Sequence, residues 1–278
     1  MTTAAPAVAA PPLASYGRVT HLRVALSEWT KLHSLRSTRW SLLVAVVLTV
    51  GFPCLFAAIL SSRWGHLGPG ERADHARHPL EVAIAGVNVS QLAIAVLGVL
   101  VISGEYSTGM IRSSFIAVPK RLPVLWAKTG VYALVVALLM VPSVLAGYFA
   151  SQAILDRHHI LQVPFSDHGV ARAVLGAALY LVLVGVFALA IGAIVRNTAG
   201  GIAMFAAIFF VIPPLMNILP SSWNNAISQY LPSNAGRSVF ALTHDAHSLR
   251  PLPGILLFAA YCAVALAIAA VLLVRRDT

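Results

Sequence analysis

Charge is scarce in this chain, and acidic charge scarcer still. Of 278 residues only 10% are Asp, Glu, Lys or Arg, and just 9 are acidic. A soluble domain is about a quarter charged, because it must cover its surface with polar groups. The shortage, with 59% hydrophobic residues and a mean hydropathy of +0.83, excludes an ordinary water-soluble domain. Cysteine is nearly missing too. Cys54 and Cys262 both fall inside apolar runs, so they read as small buried hydrophobes, with no disulfide framework and no metal-type cysteine spacing.

What is present is a series of long apolar runs. A membrane-spanning helix needs about 20 such residues. Six runs qualify, at roughly 40–60, 82–103, 126–149, 173–195, 201–219 and 253–274. Apart from Lys128, near the start of the third, they hold no Asp, Glu, Lys, Arg or His. The expected fold is an all-α integral membrane protein with six transmembrane helices. With both termini in the cytoplasm, 12 of the 19 basic residues lie on the inner side and 7 on the outer. That is the positive-inside bias, so the net charge of +10 reports topology and not a nucleic-acid surface.

Residues 1–17 begin Ala/Pro-rich and uncharged, without the basic start and continuous apolar centre of a secretory signal. They are expected to form a disordered cytoplasmic tail, followed by a single transmembrane domain over 18–278. Within Arg18–Ser37, Leu22, Ala25, Leu26, Trp29 and Leu32 share one helical face, while Arg23, Ser27, Thr30, Lys31 and Ser34 occupy the other. This predicts an amphipathic elbow helix lying in the membrane interface. Only Arg196–Gly200 separates the fourth and fifth spans, so these two should form an antiparallel hairpin. Pro213 and Pro214 remove two backbone donors and should kink or break the fifth span. Beyond it, Trp223, Ile227 and Tyr230 recur at helical spacing, as in a short helix dipping into the outer membrane edge or lying on the surface.

Between the second and third spans stands GEYSTGMIRSS, Gly104–Ser114. Its two glycines, five apart, invite comparison with the G-x-x-x-x-G-K-[ST] loop that cradles phosphates. Met110 and Ile111 stand where the lysine and hydroxyl are required. Nothing here would reach the β/γ-phosphates or hold Mg²⁺, so the chain is not expected to be an ATPase or any other enzyme. The inner segment Gly104–Lys128 instead offers Ile111, Phe115, Ile116 and Val118 as the apolar side of a short helix stopped by Pro119. Basic residues Arg112, Lys120, Arg121 and Lys128 surround it, and the whole suits docking of a cytoplasmic partner. Glu105 has a second reading, as a cap on the second span paired locally with Arg112.

The order Glu105, Gly109, Pro119, Arg121, Lys128 resembles the ABC-2 family of ABC-transporter permeases. There a Glu-x-x-x-Gly element precedes a turn-forming Pro, a basic pair and a Lys opening the next span. Ser27–Trp40, SEWTKLHSLRSTRW, is similar to the elbow of actinobacterial members. The resemblance implies a half-transporter: two permease chains, identical or different, form the pathway above two separate ATP-binding subunits. ATP and Mg²⁺ would belong to those partners, with no cofactor in this chain. It further implies a short coupling helix around Glu105–Arg121, an elbow helix packed near the same ATPase surface, residence in a bacterial plasma membrane, and export of a drug, lipid or lipid-linked substrate.

Within the spans, Asn88, Gln91 and Asn217 are the polar features that could line a pathway, or bond helices to one another. The scarcity of intramembrane charge weighs against an ion-coupled secondary transporter. A membrane enzyme acting on lipid-linked substrates would need Asp156, His158, His159, Asp167 and His168 to converge. Eight of ten histidines fall outside, and the pairs His75/His78 and His244/His247 have chelating spacing, although no metal site is expected.

Overall fold

In a hydrocarbon phase every backbone N–H and C=O must find its partner within the protein, and a helix does this within one segment. The computed structural model describes residues 21–34, 36–78, 80–107, 121–158, 160, 162–242 and 248–276. Among these the structure is 89% helix, with no strand. Six segments are long and apolar enough to cross a membrane: Arg36–His66, Glu81–Tyr106, Leu122–Arg157, Val170–Val195, Thr198–Met216 and Pro251–Arg275.

The chain opens with α1 (His21–Ser34) and α2 (Arg36–Arg63), then the short α3 (Pro69–Arg77) and α4 (Glu81–Ser107). After residues 108–120 come α5 (Arg121–Arg157) and α6 (Val170–Val195). The fifth span starts as α7 (Thr198–Ala206), widens into a π-helical turn at Ala207–Val211 and closes with α8 (Ile212–Met216). Two short helices, α9 (Ser221–Ile227) and α10 (Pro232–Arg237), precede the last span, α11 (Pro251–Arg276).

Helix α6 is the axis of the bundle. In its most apolar window 72% of residues are buried, against 61% for the second span and 17–33% for the other four. Its small residues allow neighbours to approach closely, as in other membrane helix interfaces. A Cβ built on Gly98 of α4 would stand 2.6 Å from the Gly185 carbonyl oxygen of α6. A similar contact sits on α2. Pro53 lacks the N–H that would bond the Thr49 carbonyl. Gly86 of α4 and Gly147 of α5 both crowd that oxygen, leaving a Cβ only 2.5 and 2.8 Å of room.

The two prolines act one turn earlier than a simple break. Ile212 N–H donates to the Ala207 carbonyl, a five-residue step that shifts the ladder before Pro213 and Pro214, and the helix ends at Met216. Helical structure also extends beyond the apolar runs. Gly104–Ser107, expected in the inner loop, completes α4, and Arg121–Lys128 already belongs to α5. At 37 residues α5 is about 55 Å long, well beyond a hydrocarbon core of about 30 Å. Between the fifth and sixth spans, Ser233, Ala235, Gly236, Ser238, Val239 and Phe240 are buried, which sequence patterning did not anticipate. This segment packs on α6 and α11, and Phe240 meets Tyr180 edge-on with ring centroids 5.5 Å apart. Arg172 ties it down by donating to the carbonyls of Val239 and Ala241, each at 3.2 Å.

Candidate functional site: a buried ionic cluster

Four charged side chains from three helices meet at the end of the bundle where α1, the last turn of α4 and the first turns of α5 come together. Lys128 of α5 places Nζ 2.5 Å from Glu28 Oε2 and 2.9 Å from Glu105 Oε1. Lys31 of α1 places Nζ 2.7 Å from Glu28 Oε1 and 3.1 Å from Glu105 Oε1. Two carboxylates and two ammonium groups thus form a charge-balanced ring. It is a protected one: Glu28, Lys128 and Glu105 are 2%, 4% and 9% exposed.

Local structure explains the placement. On α1 the residues turned into the protein are Val24, Glu28 and Leu32, one helical turn apart each time. Lys31 follows Glu28 by three positions and reaches back to it on the same face. Glu105 sits on the last turn of α4, and Lys128 two turns into α5. These two stand on the helices either side of residues 108–120, so their contact ties the last turn of α4 to the first turns of α5. Burial pulls the Lys31 ammonium down in pKa, but the hydrogen bond to Glu28 and the charges of Glu28 and Glu105 outweigh it. The net shift is upward from the ordinary 10.5.

A second set of contacts starts one residue along. The Arg196 guanidinium lies over the Tyr106 ring, 4.9 Å from its centroid, and donates to the Leu272 carbonyl at 3.2 Å. Arg196 makes the turn between α6 and α7 in the left-handed region, at φ 58°. Beside it Ser103 and Thr198 share a hydrogen bond of 2.7 Å. Adjacent residues of α4 therefore hold different helices: Glu105 joins α1 and α5, while Tyr106 meets Arg196 of the α6–α7 turn, which in turn bonds α11.

Each acid in the ring is bound to ammonium groups, and no hydroxyl or thiol nucleophile belongs to it. The arrangement suits a mechanical joint. Among the described residues no three His, Cys, Asp or Glu gather as a metal site would require. His75 and His78 are exposed, and His78 lies 3.9 Å from Glu81. His244 and His247 fall outside the described residues. So does His159. Asp156, His158, Asp167 and His168 are all exposed, with Asp156 accepting from Gln162.

Of the residues singled out in the sequence, Glu105 and Lys128 are brought together. Gly109, Arg112 and Pro119 lie outside the described residues, so the local Glu105–Arg112 pair and the short coupling helix do as well. Arg121 is the first residue of α5. Along α1, Leu32 is buried, whereas Leu22, Leu26 and Trp29 are 70%, 56% and 43% exposed. Asn88 lines a cavity of about 750 Å³ together with Phe52 and Arg237. Gln91 is fully buried, accepting from the Tyr180 hydroxyl at 2.6 Å and donating to the Asn88 carbonyl at 2.9 Å. It holds α4 to α6. Asn217 is exposed and accepts from Asn224 at 3.4 Å.

Glu28 was missed. Its signal was its sign: with the topology above, only Glu28, Glu105 and Asp277 of the nine acidic residues fall on the inner side. Two of the three are in the ring. Comparison with protein-family models and with curated proteins returned no match. The class that fold and site define is an α-helical, multi-pass membrane protein.

Proposed function

We propose that this chain is the permease subunit of an ATP-driven transporter of the ABC-2 type. It would work as one of a pair, identical or not, above separate subunits that bind ATP and Mg²⁺. The observation carrying this reading is the ionic ring that joins the two ends of segment 108–120 to each other and to an amphipathic helix. A push delivered to that segment by a docked partner would reach α1, α4 and α5 as one body. Through Tyr106 and Arg196 it would also reach α6, α7 and α11. The expected role is export of a drug, lipid or lipid-linked hydrophobic substrate across a bacterial plasma membrane, with both termini in the cytoplasm.

The test is gentle extraction from the native membrane followed by identification of soluble partners. A stoichiometric subunit carrying G-x-x-x-x-G-K-[ST] is the expected result. Reconstituted with it, Glu105→Gln should insert normally and lose at least about tenfold in transport, a change of about 1.4 kcal/mol in coupling. Recovery of the chain alone, with transport driven by an ion gradient, would overturn the reading.

A further inference from the structure

A groove of about 510 Å³ runs between α1, α2 and α5. Its walls are apolar: Trp29 and Leu32 from α1, Leu42 and Val46 from α2, Val135 and Leu139 from α5. From Arg39 at its mouth to Val46 is seven residues, about 10 Å along α2. One leaflet supplies about 15 Å of hydrocarbon, so the groove reaches well into it. The mouth has a single sign of charge. Arg39 lines it, exposed, and Arg36 lies one turn earlier on the same helix, also exposed. Neither is paired with a carboxylate among the described residues. The one acidic residue of α1, Glu28, is turned away into the ionic ring.

We infer that this groove is a binding site for one anionic phospholipid, with an acyl chain along the apolar walls and the phosphate on Arg39 and Arg36. An apolar slot alone would take any lipid tail. The uncompensated guanidinium pair at headgroup depth is what selects the anionic class, since basic pockets at the ends of membrane helices hold such headgroups. Each basic residue near an anionic surface contributes about fivefold in affinity. The exposed ridge of Leu22, Leu26 and Trp29 continues the apolar surface outward, so the same lipid layer would hold α1 down along its length.

The experiment uses the purified full chain, stripped of lipid, and native mass spectrometry with phosphatidylglycerol and phosphatidylcholine bearing identical acyl chains. One phosphatidylglycerol should be retained, preferred about fivefold or more over phosphatidylcholine. Arg39→Gln should lose about fivefold of that preference, whereas Arg63→Gln, at the opposite end of α2, should keep it. Val135→Trp, which fills the groove and leaves both arginines, should lower retention of both lipids. Equal retention of the two lipids by the wild type, or an unchanged preference in Arg39→Gln, overturns the inference. Full retention by Val135→Trp does so too, and this arm stands if Arg39→Gln does not fold. No ATP-binding partner enters the experiment, so its outcome is independent of the transporter reading.

Discussion

At the scale of single residues, the four members of the ionic ring should differ sharply in what their loss costs. Lys128→Ala leaves two buried carboxylates facing one half-exposed ammonium. Breaking a buried ion pair in this way costs about 3–5 kcal/mol. Lys31 is 30% exposed, and water can replace much of what it gives, so Lys31→Ala should cost about 1 kcal/mol or less. Unfolding of the purified variants in detergent separates the two, and a Lys128→Ala loss as small as that of Lys31→Ala would show that the ring does not hold the helices. Glu28→Gln combined with Lys128→Gln should cost less than the two changes added, because the partners share one interaction. The raised pKa of Lys31 has its own consequence. Stability from an amine whose folded pKa exceeds 10.5 is complete below that value and fades as pH climbs through the folded one. The stability gap between wild type and Lys31→Gln should therefore stay flat from about pH 6 to 9 and close only above 10.5.

Whole helices test a different property, how closely backbones approach. Gly98 and Gly51 both lie mid-helix, yet a Cβ on Gly98 meets the Gly185 carbonyl at 2.6 Å and one on Gly51 meets nothing within 4 Å. Gly98→Ala must push α4 from α6 and should destabilise by about 1–3 kcal/mol. Gly51→Ala should be neutral or stabilising by up to about 1 kcal/mol, as glycine is a poor helix former. A lower melting temperature for Gly98→Ala alone is the expected result. The six spans were legible in the sequence because apolar runs of that length have few other uses. Their ends were not. Gly104–Tyr106 and Arg121–Leu125 looked like loop because charge interrupts the apolar pattern, and the buried charges of Glu105 and Lys128 find their partners only in the ring. The buried segment Ser233–Phe240 was hidden for the opposite reason: serine, alanine and glycine pack well but carry no hydrophobic signal. Glu28 was hidden because helical periodicity sends a carboxylate outward, and its partner Lys128 is 100 residues away. Half of the ring could be named from sequence, and the half supplied by α1 needed the fold.

For the molecule as a whole, the coupling proposal requires the ionic ring to face the cytoplasm, and the placement of basic residues favours that orientation. The side of the spans that holds the ring has 12 of the 19 basic residues by the topology above, and the other side 7. Tryptophan favours the headgroup level. Trp29, Trp40 and Trp126 are exposed at the ring end, while Trp64 and Trp223 lie near the opposite ends of the spans. Arg36 and Arg39, two of those 12 basic residues, are exposed at the ring end. The native cysteines lie in helices α2 and α11, Cys262 buried and Cys54 partly so, and can be replaced by serine or alanine to give a background for labelling. On that background Gly70→Cys, in α3, should react with a membrane-impermeant maleimide in intact cells. Ser34→Cys, at the end of α1, should react only after permeabilisation. The reverse pattern would place segment 108–120 and the ionic ring outside, beyond the reach of any cytoplasmic ATPase, and would remove the coupling proposal with one measurement.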